Sequence, residues 1–135
     1  MTIDSSSDAQ SLRTRQQSLR EALPFLIPLA EKVARVHGNH VPELIAVNEH
    51  LAALAEDLVD HLDHEQSPIR AAEMKAEHAH LLETLERVRD AAGDYAVPEW
   101  ACRSYLNLMR GLERFDAQLK RQVELEEAAM VLSSP

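Results

Sequence analysis

Four stretches of this 135-residue chain share one seven-residue apolar rhythm, and that rhythm restricts it to packed helices. The first runs through Leu12, Gln16, Leu19, Leu23, Leu26, Ala30, Val33 and His37. The second takes Leu44, Val47, Leu51, Leu54, Leu58, His61 and Glu65, and the third Ala71, Met74, His78, Leu81, Leu85, Val88 and Ala92. The fourth takes Tyr105, Leu108, Leu112, Phe115, Leu119, Gln122 and Glu126. Steps of three and four keep each set on one stripe of a helix. Leucine belongs there. A Glu or His on such a stripe must be paired, neutralised or coordinated, because a bare buried charge costs several kcal/mol or more. The interior of the bundle is therefore expected to hold a polar site.

Few glycines and aromatics, against abundant Leu, Ala and Glu, suit an all-α protein, and the length suits one domain with a full core. The expected architecture is an up-down-up-down four-helix bundle over residues 10–132, preceded by a Ser/Asp-rich, disordered tail at 1–9. The first helix carries Pro24 and Pro28, which predict a kink or short break, and ends at Gly38 as a left-handed cap. The second runs from near Pro42 to about Gln66. The third starts at Ser67-Pro68, and Ala92-Gly93-Asp94 ends it. Val97-Pro98-Glu99 opens the fourth, which runs to about Met130. The net charge of −9 argues against nucleic acid and anionic membrane surfaces as partners. One cysteine, Cys102, excludes an internal disulfide and fits a reducing cytoplasm. No signal-peptide pattern or bilayer-spanning run is present, so a cytoplasmic location is expected. Heptad stripes serve bundles and homodimers alike, which leaves a homodimer open.

The polar breaks converge. Gln16 lies early in the first helix, His61 and Glu65 late in the second, His78 in the first half of the third, and Gln122 and Glu126 late in the fourth. In an antiparallel bundle these six share one end. Counting at about 1.5 Å per residue puts Gln16 and His61 level, some 30 Å from the turn joining their helices. The same count puts His78 about 15 Å from the next turn with Glu65 almost on it, a mismatch in height. His61 and Glu65 stand one turn apart, the spacing that bundle metal sites use. Two imidazoles and two carboxylates suit Fe, Mn or Zn over Cu(I) or Ca2+. Asp57, one turn before His61, is a candidate partner for its ring. His37 stands at the opposite end and reads as a hydrogen-bonded core residue; His40, His50, His64 and His80 read as solvated, and Cys102 as a small packed residue. Of the acidic run Glu124, Glu126, Glu127, only Glu126 has the phase to point inward.

Several of these segments carry a resemblance. Leu19-Arg20-Glu21-Ala22-Leu23-Pro24, Lys32-Val33-Ala34-Arg35-Val36-His37, His61-x-x-x-Glu65-Gln66, Glu77-His78, Pro98-Glu99-x-Ala101-Cys102 and Leu125-Glu126 follow one another as in the hemerythrin-like domain of the repair-of-iron-centres family. The resemblance covers residues 13 to about 132. It implies a hemerythrin-like four-helix bundle with a non-heme di-iron site. It also implies a role in nitrosative and oxidative stress and iron–sulfur cluster repair, with NO, O2 or iron–sulfur proteins as partners. Carried over by position, His61 and His78 are metal ligands and Glu65 and Glu126 the bridging carboxylates.

The two remaining ligand positions, histidines in the family, fall on Gln16 and Gln122. The family's Leu-Phe-Pro segment after the second-helix glutamate is absent, and the link to the third helix is shorter. An amide oxygen is a weak ligand beside an imidazole. Three outcomes stay open: two loosely held irons, one iron or other divalent metal on His61, Glu65, His78 and Glu126, or no metal, with the glutamines bonding the glutamates in a closed network. The last would make the chain a regulatory or structural interaction module. Oxidase or ferroxidase chemistry is the least favoured, since nothing marks an organic substrate pocket.

Overall fold

Each of the four apolar stripes becomes the inward face of one helix. In the computed structural model, which describes residues 5–64 and 71–133, the order is α1 (Ser5–His37), α2 (Glu43–His64), α3 (Ala71–Ala91) and α4 (Arg103–Ser133). No strand occurs among the described residues. The all-α four-helix class expected from the rhythm is the one adopted. Helix α1 packs on α2 and α4, and α2 on α3, while α3 and α4 touch least. Contacts at the two ends make neighbours antiparallel. Arg20, early in α1, pairs with Asp63, late in α2, at 2.7 Å. His37, at the end of α1, lies against Tyr105, near the start of α4.

Every Leu and Val of the four stripes from Leu19 onward is buried, and the core extends beyond them to Ala55, Leu62, Met109 and Val123. The inward face is thus wider than a strict heptad seam, as a globular bundle requires. Helix α1 starts at Ser5 and so takes in part of the expected tail; Ser and Asp are favourable residues at a helix start. It also runs unbroken through Pro24 and Pro28, both on its exposed side. There the carbonyls left without an N–H partner face water.

Gly38 ends α1 differently from expected. Its backbone is not left-handed; glycine is required because a Cβ there would lie 2.3 Å from the Ala34 carbonyl oxygen and 3.0 Å from Ile45. Gly93 is the left-handed cap, at φ 62°, ending α3. The Asp94 N–H donates to Arg89 O at 2.9 Å and the Gly93 N–H to Asp90 O at 3.1 Å, the paired bonds of a Schellman ending. Asp94 and Tyr95 follow in left-handed conformations at φ 58° and 65°, costly for a tyrosine. Tyr95 is held there by its hydroxyl, which donates to the buried Asp116 at 2.6 Å, and Asp116 also pairs with Lys120 at 2.7 Å. Burial, then this hydrogen bond, raises the phenol well above its ordinary pKa.

Helix α4 begins at Arg103, later than Pro98 suggested. Residues 98–102 form a turn, with the Ala101 N–H on Pro98 O at 3.0 Å. Cys102 is exposed, not packed, and sits 3.3 Å from His37 Nε2. His37 is half-buried between the rings of Trp100 and Tyr105, each with its centroid 5.8 Å away.

Candidate metal centre

The polar interruptions meet at the end of the bundle opposite that aromatic cluster. His61, in the last turn of α2, His78, near the start of α3, and Glu126, late in α4, are all buried on their stripes. Glu126 Oε2 lies 3.1 Å from His61 Nε2 and 2.7 Å from His78 Nε2. The ring centroids are 4.9 Å apart, and ligand atoms from all three residues fall within 4.8 Å of one another. Both imidazoles therefore aim the same nitrogen at one point beside one carboxylate. The height mismatch inferred for α3 does not separate His78 from His61.

The other ring nitrogens are also held. His61 Nδ1 lies 3.4 Å from Glu77 Oε2, and His78 Nδ1 3.2 Å from Glu127 Oε1. Each outer carboxylate sits on the next helix in the chain, adjacent in sequence to that helix's own inward residue: Glu77 before His78, Glu127 after Glu126. A carboxylate on Nδ1 fixes a ring's orientation and turns Nε2 inward as the ligand atom. This pattern is how proteins prepare histidines for a metal.

Gln122, one turn before Glu126, is 1% exposed, and its Nε2 donates to Glu126 Oε1 at 3.2 Å. Its Oε1 is buried without a hydrogen-bond partner. A buried unpaired amide oxygen costs on the order of 1–3 kcal/mol, and an absent ion is one explanation for such an atom. Two imidazole nitrogens, a carboxylate and a spare amide oxygen are a donor set that fits iron, manganese or zinc.

Not every expected residue joins the cluster. Gln16 is half-buried on α1, one turn before the Arg20 that binds Asp63, and so stands at the same end. Asp57 does not partner His61; its carboxylate takes the exposed His80 at 2.8 Å, and Glu77 fills the role instead. Glu65 lies outside the described residues, as do Gln66, Ser67 and Pro68. The acidic-run reading left Glu127 as a solvated residue, yet at 43% exposure it still reaches His78. Both outer partners adjoin an inward residue of the cluster in sequence, but adjacency alone does not set them apart from solvated carboxylates.

Fold and cluster together define a class, a four-helix bundle with a candidate metal centre assembled from facing helices at one end. Within that class the chain is similar to iron-sulfur cluster repair proteins named YtfE. It is 31% identical over 123 residues to the one from Yersinia pseudotuberculosis serotype IB, strain PB1/+, covering 79% of this chain and 55% of the relative. Those from Yersinia pseudotuberculosis strain IP 31758 and Yersinia pestis strain Pestoides F are 30% identical over the same spans. This homology supports the kinship that the motifs suggested. The chain spans about half the length of these curated relatives. No family model matches it.

Proposed function

We propose that this chain is a hemerythrin-like, non-heme iron protein of the iron–sulfur-cluster-repair type, working with a reduced ligand set. The observation that carries the reading is the pair of imidazoles turned by Glu77 and Glu127 onto Glu126. His61, His78 and Glu126 would hold one divalent iron; Glu65, four positions after His61, is the further ligand that the family resemblance assigns. Two imidazoles and a carboxylate leave positions open on iron, and a ferrous ion so held supplies a redox-active Lewis acid for a diatomic such as NO or O2. The protein's part is to bind, orient and shield: His61, His78 and Glu126 are buried, and the outer carboxylates keep both rings in register. A cytoplasmic setting and service to iron–sulfur proteins under nitrosative stress are parts of this proposal. Among the described residues, no helix is long and apolar enough to cross a membrane.

The test is metal content by mass spectrometry on protein purified without chelators, then again after anaerobic Fe2+ addition. The expected result is about one iron per chain, lost in His78→Ala and Glu126→Ala and reduced in Glu65→Ala. A second reading has its own support. Glu126 lies within hydrogen-bonding distance of His61, His78 and Gln122, so the carboxylate has protein partners without an ion, with Gln122 Oε1 alone left over, and the bundle can act as a metal-free interaction module. Protein that takes up no iron anaerobically and melts identically in EDTA and in Fe2+ establishes that reading over the first.

A further inference from the structure

We infer that a cleft between α1 and α4, headed by Arg15, binds a phosphate monoester of a small polar molecule. The cleft shares no residue with the metal centre and does not depend on the metal-bound reading. Ser11, Arg15 and Ser18 recur at steps of four and three, which puts them on one face of α1 with Thr14 beside them. Gln10 from α1 and Gln118 from α4 complete a cleft of about 560 Å3. Arg15 is half-buried, and its Nε is shielded from solvent without a hydrogen-bond partner. A guanidinium offers only donors, and a shielded donor left unpaired is costly. Other arginines of the chain have carboxylates: Arg20 takes Asp63, Arg87 takes Glu83, Arg89 takes Asp94 and Arg121 takes Glu124. Among the described residues no Asp or Glu lines the cleft, although the chain has 23 acidic residues against 14 basic ones. A net charge of −9 repels anions at long range, so attraction here must come from the donors that face the cleft.

Those donors select the class of anion. A guanidinium fork alone satisfies the two oxygens of a carboxylate. Ser11, Ser18, Gln10 and Gln118 add hydroxyl and amide donors around it, and a phosphate monoester brings three terminal oxygens to receive them. Thr14 is already engaged, its hydroxyl donating to Gln10 O at 2.9 Å. The volume lies within the roughly 300–1,000 Å3 of small-molecule pockets and exceeds what an inorganic anion fills, so the phosphate carries a body. Arg15 directly precedes Gln16, and Gln118 stands one turn before Gln122, so the cleft lies toward the same end of the bundle as the metal centre.

The test is titration calorimetry on the full chain after EDTA treatment and desalting, so that phosphate cannot bind through a metal ion. Ribose 5-phosphate, inorganic phosphate and succinate are the probes, at an ionic strength held constant with NaCl. Ribose 5-phosphate is expected to bind more tightly than inorganic phosphate, and succinate more weakly than either. Arg15→Gln should weaken both phosphates about tenfold or more. Arg87→Gln removes the same charge from an exposed pair on α3 and should leave binding unchanged. Circular dichroism checks that both variants are folded. Binding that survives Arg15→Gln, or falls equally in Arg87→Gln, overturns the site. Succinate bound in preference to the phosphates overturns the phosphate assignment, and inorganic phosphate bound more tightly than the ester overturns the body. Absence of binding by either phosphate at millimolar concentration overturns the whole proposal. Each of these results leaves the metal centre to be judged by iron content alone.

Discussion

His61 and His78 each bridge two carboxylates, an inner one shared on Glu126 and an outer one on the neighbouring helix. The outer pair does the less visible work. Replacing Glu77 or Glu127 by Gln keeps size and a hydrogen-bonding group but removes the charge that backs each imidazole. Either change is expected to weaken metal binding by roughly 10- to 100-fold without altering the fold, as losses of such partners do elsewhere. Titration with Fe2+ or Co2+ beside a thermal melt in EDTA would check both halves. Asp57→Asn, by contrast, removes an exposed pair with His80, is expected to leave metal affinity unchanged, and costs about 1 kcal/mol or less. The inward cluster was legible in the sequence because His61, His78 and Glu126 interrupt apolar stripes. Glu77 and Glu127 were not, because a half-exposed carboxylate looks like any solvated one until a neighbouring helix brings an imidazole to it.

At the scale of elements, the α3–α4 connection carries the clearest dependence on single residues. Tyr95 sits in a left-handed conformation and is buried, anchored by Asp116, which Lys120 neutralises. Tyr95→Phe removes the donor and leaves Asp116 with Lys120 alone, so a loss of about 1–3 kcal/mol is expected in urea unfolding. The phenol's pKa is raised in the folded state by burial and by the bond to Asp116, while the unfolded chain keeps an ordinary value near 10.0. Its contribution is then complete below pH of about 10 and falls as pH rises toward the folded value. Wild type should lose stability above that pH, and Tyr95→Phe should lose less. Gly93→Ala meets no neighbour within 4 Å, so its expected cost of about 1 kcal/mol comes from φ alone. The end of α3 was readable from Ala92-Gly93-Asp94, since a Schellman ending is local chemistry. The start of α4 was not: Pro98-Glu99 imitates a helix opening, but the chain makes a further turn that seats Trp100 against His37 and Tyr105 before α4 begins. Gly38 imitated a left-handed cap in the same way, where the real constraint was a close approach across the α1–α2 turn.

Taken whole, the core is apolar apart from the cluster toward one end, Thr84 and the Tyr95–Asp116 pair, and ion binding should report on its entire stability. A ligand that binds only the folded state adds about 2.7 kcal/mol at a free concentration one hundred times its Kd. A melting temperature that climbs with Fe2+ and returns in excess chelator is the expected signature; His78→Ala should melt at one temperature in both. The all-α class and the antiparallel order were legible because four stripes of matching length admit few other packings. What the stripes could not convey was the width of the buried face, which recruits Leu62, Met109 and Val123 from positions a strict heptad leaves outside. The position of the cluster has a kinetic consequence as well. It lies toward one end of the bundle, beside the seam where α3 and α4 touch least, and the outer partners Glu77 and Glu127 are 27% and 43% exposed. Because the carboxylates that hold both rings are partly exposed, removal of an ion by excess chelator is expected to be faster than unfolding, which stopped-flow mixing with EDTA beside the unfolding rate would check. Exchange of the ion and loss of the fold would then be separate events, each with its own rate.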